Sequence, residues 1–111
     1  MKNVIIDNIE YAPVVKQVEK YHIIRSRDAG VFAGEISMID GSTVTMKSCR
    51  RLWYWAGAAS LSQMAQEGVK EPEKCKFSVH TRNHIVLGVC EVIPCTEQAM
   101  KIIEGVSKWK N

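Results

Sequence analysis

The chain has 111 residues, of which 46% are hydrophobic and 24% are charged, and its formal net charge is +3. This composition excludes a charge-rich disordered chain, and the small net charge does not by itself indicate nucleic-acid binding. We therefore treat residues 1–111 as a single domain, with an N-terminal arm or short strand over 1–19 and a core over 20–109.

The first half of the chain predicts three strands. Aromatic and β-branched residues over 21–27 predict a strand that runs into a turn at 28–30. A strand pattern resumes over 31–38, a second turn follows at 39–42, and residues 43–46 predict a third strand. Together they predict an antiparallel meander.

The second half mixes helices with strands. In chain order it predicts a helix over 58–67 between Gly57 and Gly68, a strand over 76–80, a turn at Asn83, a strand over 85–93, and a helix from Thr96 to Gly105. The whole pattern predicts an α+β domain with an antiparallel sheet of about five strands and two short helices on one side. Such a sheet keeps an uncovered face or edge, so we expect a homo-oligomer.

The first candidate site follows the first predicted strand. Arg25 and Arg27 share one face of a strand, and the turn that begins at Asp28 offers backbone amides to an anion. Arginine matches phosphate oxygens, and Phe32 across the turn could stack on a base. The arginines could equally be solvated, or paired with Asp28 or Glu35.

The second candidate site is the segment 49–60. Arg50 and Arg51 precede Trp53 and Trp55, which places charge beside stacking surface, and the small Gly57 would let a ligand approach the helix that follows. In the alternative, strand alternation buries both tryptophans in the core or in a subunit interface.

A third, weaker candidate lies at 76–84, where Arg82 and Asn83 could supply hydrogen bonds from a loop. Histidines in this segment, His80 and His84, are more often simply exposed beside such a turn.

Neither catalysis nor metal binding is predicted. The chain contains no nucleophile-elbow, HExxH, Walker A or GxGxxG motif and no evident carboxylate pair. It begins without a signal-peptide core, so we expect a cytoplasmic protein whose cysteines are reduced. The four cysteines, Cys49, Cys75, Cys90 and Cys95, do not follow the spacing of a zinc site. We therefore expect no metal and no cofactor.

Four segments together carry a family resemblance: RSRDAGVFAG, RRLWYWAGAASLSQMAQEG, CKFSV and GVCEVIPCTEQA. They resemble the anti-Thoeris sponges, small phage-encoded proteins that sequester the cyclic ADP-ribose signal of a bacterial TIR-domain defence enzyme. The resemblance spans about residues 20–109 and rests on the pattern as a whole.

The resemblance implies a homo-oligomer that holds a cyclic ADP-ribose isomer between protomers without cleaving it, with no membrane or nucleic-acid partner. Some sponges also hold cyclic oligonucleotides at separate sites. The resemblance assigns no pocket residue to this chain, so the candidates above come from residue chemistry alone. The alternatives are a phage structural or nucleic-acid-associated interaction protein and a small enzyme acting on nucleotides.

Overall fold

The structure is a computed structural model that describes residues 4–6, 9–11, 16–17 and 20–110. Its strands are β1 (Val4–Ile6), β2 (Ile9–Tyr11), β3 (Lys16–Gln17), β4 (Tyr21–Ser26), β5 (Gly30–Asp40), β6 (Thr43–Tyr54), β7 (Lys76–Phe77), β8 (Thr81–Val86) and β9 (Val89–Pro94), and its helices are α1 (Leu61–Glu67) and α2 (Glu97–Gly105). Strands β1 and β2 pair with each other. Apart from β1, β2 and β3, the arm predicted over 1–19 lies outside the described residues.

One antiparallel sheet organises the domain. Strands β4 to β9 form it, and the short β3 joins it beside the end of β5. Across the sheet the order is β7, β6, β5, β4, β9, and β8 pairs with β6 on the same side as β7. The predicted α+β class, with an antiparallel sheet and two helices, is confirmed.

The connection between β8 and β9 curls this sheet. These strands pair with β6 and β4, which lie on opposite sides of β5, yet only Leu87 and Gly88 separate them along the chain. The two edges must therefore approach each other at this end. Two hydrogen bonds fasten the approach, from Val89 N to Ser42 O at 2.8 Å and from Ser26 Oγ to Leu87 O at 2.8 Å.

The two faces of the curled sheet bury separate apolar clusters. Inside the curl lie Ile24, Phe32, Ile36, Val44, Met46, Cys49 and Val86. On the other face, Ile23, Ala33 and Leu52 pack with the buried residues of both helices, including Met64 and Ile103. Among the described residues, neither helix has the length and the apolar run that crossing a membrane requires.

The middle of the chain departs from the sequence prediction. Strand β6 does not stop at residue 46 but continues through the aromatic segment to Tyr54, so Arg50 and Arg51 lie on a strand. Helix α1 also starts later than predicted, with Ser60 rather than Gly57 as its N-cap, and the Ser60 side chain accepts a hydrogen bond from Gln63 N.

The predicted strands over 76–80 and 85–93 were also placed wrongly. The strand that begins at Lys76 ends at Phe77, and Asn83 lies within β8 with a φ of 53° rather than starting a turn. The turn lies further on, at Gly88, whose φ of +67° favours glycine. It divides the predicted strand over 85–93 into β8 and β9.

Candidate functional site

Consecutive arginines on β6 point to opposite faces of the sheet, because side chains alternate along a strand. Arg50 faces the helices and is 1% exposed. Its guanidinium donates hydrogen bonds to three backbone carbonyls, those of Ser78, Ile103 and Val106, at 3.0, 3.1 and 2.6 Å. Burial lowers the pKa of Arg50 from its ordinary value, and the negative charge of Glu104 opposes this effect.

These contacts give Arg50 a structural role, contrary to its selection as a phosphate ligand. Two of the three acceptors lie at the carboxyl end of α2, where helix carbonyls have no partner within the helix. A buried guanidinium satisfies them and anchors α2 to the sheet.

Arg51 faces the interior of the curl. Its guanidinium carbon lies 4.7 Å from the centre of the Phe32 ring. Its Nε is buried and has no hydrogen-bond partner among the residues that the structure describes. The same guanidinium lines a cleft of about 440 Å³ beside the β8–β9 turn. The guanidinium thus lies against Phe32, and Arg51 forms no ion pair among the described residues.

We define the Arg51 cleft by the eight residues that line it. They are Asp28, Ala29, Arg51, His84, Ile85, Val86, Leu87 and Gly88. The lining thus includes a cation, an imidazole, apolar residues and the acidic Asp28. An anion attached to a flat or apolar group fits this distribution.

Neighbouring groups hold His84 in place within the Arg51 cleft. Its ring meets the Phe32 ring at an interplanar angle of 61° with centroids 5.0 Å apart. Its Nδ1 lies 2.8 Å from Thr81 Oγ1, and this hydroxyl lies 3.6 Å from Cys49 Sγ. Because Nδ1 is engaged, Nε2 is the nitrogen left to meet a ligand.

The pKa of the Cys49 thiol depends on the groups that surround it beside the Arg51 cleft. Burial raises its pKa, and the hydrogen bond with Thr81 and the charge of Arg51 act in the opposite direction. The Arg51 guanidinium therefore lies close enough to the Cys49 thiol to oppose the effect of burial on its pKa.

Only two of the predicted site residues, Asp28 and Arg51, come together in the Arg51 cleft. Phe32 is 1% exposed and lies under Arg51, so it supports the arginine and cannot stack on a base as predicted. Arg25 pairs with Glu91 at 3.1 Å on the other face of β4. Arg27 lies past the end of β4, exposed in the turn, and so does not share a strand face with Arg25.

The remaining predicted residues lie elsewhere. Arg82 and Asn83 line a different cavity of about 390 Å³ with Glu35, Lys47 and Ser48. Trp55 is half-buried against the helix-side core. Trp53 is exposed and packs edge to face on Trp109, with ring centroids 5.4 Å apart.

Sequence reasoning ranked His84 too low and omitted the residues of the β8–β9 turn. The missed signal was Gly88 inside the apolar run 85–93, because glycine within a strand pattern marks a turn or a bulge. A turn there makes 81–86 a strand of its own. In the structure that strand pairs with β6 and places His84 opposite Met46, on the inner face.

The described residues contain no group of three or more His, Cys, Asp or Glu side chains that could hold a metal ion. A family model described as a domain of unknown function (DUF6948) matches residues 19–103. No curated protein and no solved structure matches the chain.

Proposed function

Since the chain belongs to the DUF6948 family, a domain of unknown function, we propose a function from the geometry of its cleft. The protein binds a cyclic ADP-ribose-type nucleotide at the Arg51 cleft and sequesters it without cleaving it. The observation that carries this proposal is Arg51, which lines the cleft with its guanidinium over Phe32 and forms no ion pair among the described residues.

The lining of the Arg51 cleft matches the parts of such a nucleotide. Arg51 offers N–H donors to a phosphate, and a charge-assisted bond of this kind is roughly twice as strong as a neutral one. Asp28 can accept hydrogen bonds from ribose hydroxyls, and the apolar side chains of Ile85 and Leu87 can cover an adenine.

The resemblance to anti-Thoeris sponges supplies the biological setting of the proposal. A phage protein that retains the signal in the cytoplasm of its host would keep it from the immune effector. Sequestration requires tight binding only, so the Arg51 cleft need not provide a nucleophile or an acid and base pair. Cyclic oligonucleotides remain a second ligand class within this proposal.

The substitution Arg51→Ala tests the site. Loss of one charged hydrogen bond at a desolvated position should weaken binding of cyclic ADP-ribose isomers by about ten- to a hundredfold, measured by calorimetry. Arg51→Lys should recover only part of the affinity, because lysine keeps the charge but lacks the planar fork of donors. Arg25→Ala is the matched control, since Arg25 is exposed and pairs with Glu91.

Heating the loaded protein and analysing the released ligand separates the alternative functions. Release of intact ligand supports sequestration, and release of an altered ligand would show an enzyme instead. If no isomer is retained at micromolar concentration, the interaction-protein alternative replaces the proposal. Arg51→Ala with unchanged affinity and an intact fold would mean that the ligand binds elsewhere.

A further inference from the structure

A second surface lies at the C-terminal end of β6. It exposes two tryptophans. Trp53 is 52% exposed and Trp109 is 42% exposed, and their rings contact each other edge to face. The backbone positions both residues: Trp53 lies on β6, and Trp109 N donates a hydrogen bond to Phe77 O at 2.8 Å. Adjacent exposed aromatic rings form a contiguous apolar patch of the kind that marks an interaction site.

The charges around this pair are basic. The Lys76 ammonium lies 5.2 Å from the centre of the Trp109 ring. Lys108 and Lys110 flank Trp109 and line a cavity of about 460 Å³ with it. The cavity also contains the carboxylate of Glu73. Within the described part of the chain, none of the lysines 76, 108 and 110 forms an ion pair, whereas Lys74 pairs with Glu71 at 2.9 Å.

We propose that this surface, which we call the Trp53–Trp109 platform, binds single-stranded nucleic acid. Exposed aromatic rings accept bases by stacking, whatever their sequence, and adjacent lysines accept the phosphates between them. The positive charge of the platform favours the anionic nucleic-acid strand over an apolar or basic peptide. The mode of binding requires no base-specific donors, so the platform should tolerate any sequence.

The platform does not depend on the Arg51 cleft. None of the residues that line the cleft also lines the cavity beside Trp109. A nucleotide signal and a nucleic-acid strand can therefore be tested separately on the same protein, and failure of one proposal leaves the other standing.

Fluorescence anisotropy with labelled 12-nucleotide oligo(dT) and oligo(U) tests the proposal at 50 mM salt. We expect the full-length protein to bind, and Trp53→Leu and Trp109→Leu each to weaken binding about tenfold or more by removing a stacking surface. Leucine keeps an apolar side chain at each position. Lys101→Gln is the matched control and should bind both strands as the unchanged protein does, because Lys101 is exposed on α2 and lines neither cavity.

The salt dependence of oligonucleotide affinity provides a second test. It can be measured on the unchanged protein even if a tryptophan variant folds poorly. For single strands the logarithm of affinity falls with the logarithm of salt by about 0.7 per phosphate contact. Three contacting lysines thus predict a slope near −2, and the exposed double variant Lys108→Gln, Lys110→Gln should bring it to about −0.7.

Three outcomes would overturn the proposal. The first is no binding of either oligonucleotide at 50 mM salt. The second is binding that neither the tryptophan nor the lysine variants change. The third is light scattering in which Trp53→Leu turns an oligomer into a monomer without affecting oligonucleotide affinity, which would make the platform an interface between copies of this chain.

Discussion

At the scale of single residues, Arg50 and Arg51 show how neighbours of the same type acquire unrelated roles. Both were selected from the sequence for their chemistry, and nothing in that chemistry separates them. Strand alternation sends one side chain to the helices and the other to the Arg51 cleft. Without knowing which face of β6 the helices cover, the sequence could not indicate which arginine is structural.

Replacing Arg50 should cost stability. Arg50→Ala leaves three carbonyls without their charged donor, two of them at the end of α2, and we expect the free energy of unfolding to fall by about 3 kcal/mol or more. Urea denaturation measures this fall. Arg25→Ala, at an exposed position, should leave the urea midpoint unchanged, and equal losses in the two variants would refute the anchoring role of Arg50.

At the scale of elements, the sequence predicted strands and helices where apolar periodicity was regular. The residues of β4, β5 and α2 follow such patterns, and each was predicted nearly in place. The segment of β8, its turn and β9 was not, because Ile85 to Ile93 is almost continuously apolar and resembles one buried strand. Its turn depends on a single glycine, and its pairing with two distant strands is a property of the sheet rather than of the segment.

The close approach of β5 to β6 at Gly34 is a second property of the sheet, and it can be tested. A Cβ at Gly34 would lie 2.6 Å from Cys49 Cα and closer still to Ser48 O. Gly34→Ala must therefore push the two strands apart, and we expect a loss of about 1–3 kcal/mol in the free energy of unfolding. Chemical denaturation followed by circular dichroism provides the measurement.

Gly105→Ala is the control of opposite sign. A Cβ there meets nothing within 4 Å, and Gly105 is the last residue of α2, where alanine favours the helix by roughly 0.5 kcal/mol. If both alanine variants lose stability to the same extent, crowding between β5 and β6 is not the cause.

At the scale of the whole molecule, the α+β class could be predicted because alternating and helical periods follow one another along the chain. The candidate site could not, because it assembles from three separate segments: the turn at Asp28, β6 at Arg51, and the end of β8 with its turn, from His84 to Gly88. Only the curl of the sheet brings these segments together, and no local pattern encodes that curl. The sequence analysis selected Asp28 and Arg51, which both line the cleft, but it assigned them to different candidate sites.

The predicted homo-oligomer also belongs to this scale, and the structure indicates where to test it. Leu87, which is 66% exposed, and Ile85 place apolar side chains at the mouth of the Arg51 cleft. We predict that a second copy covers the β8–β9 turn, because exposed apolar side chains at a ligand site favour closure by association. Leu87→Glu should then yield a monomer in light scattering and also weaken nucleotide binding, since the cleft would stay open to water. Val79→Glu is the control, because Val79 is similarly exposed but does not line the cleft. A monomeric unmodified protein at micromolar concentration would contradict the prediction, and an oligomer that Leu87→Glu leaves intact would place its interface elsewhere.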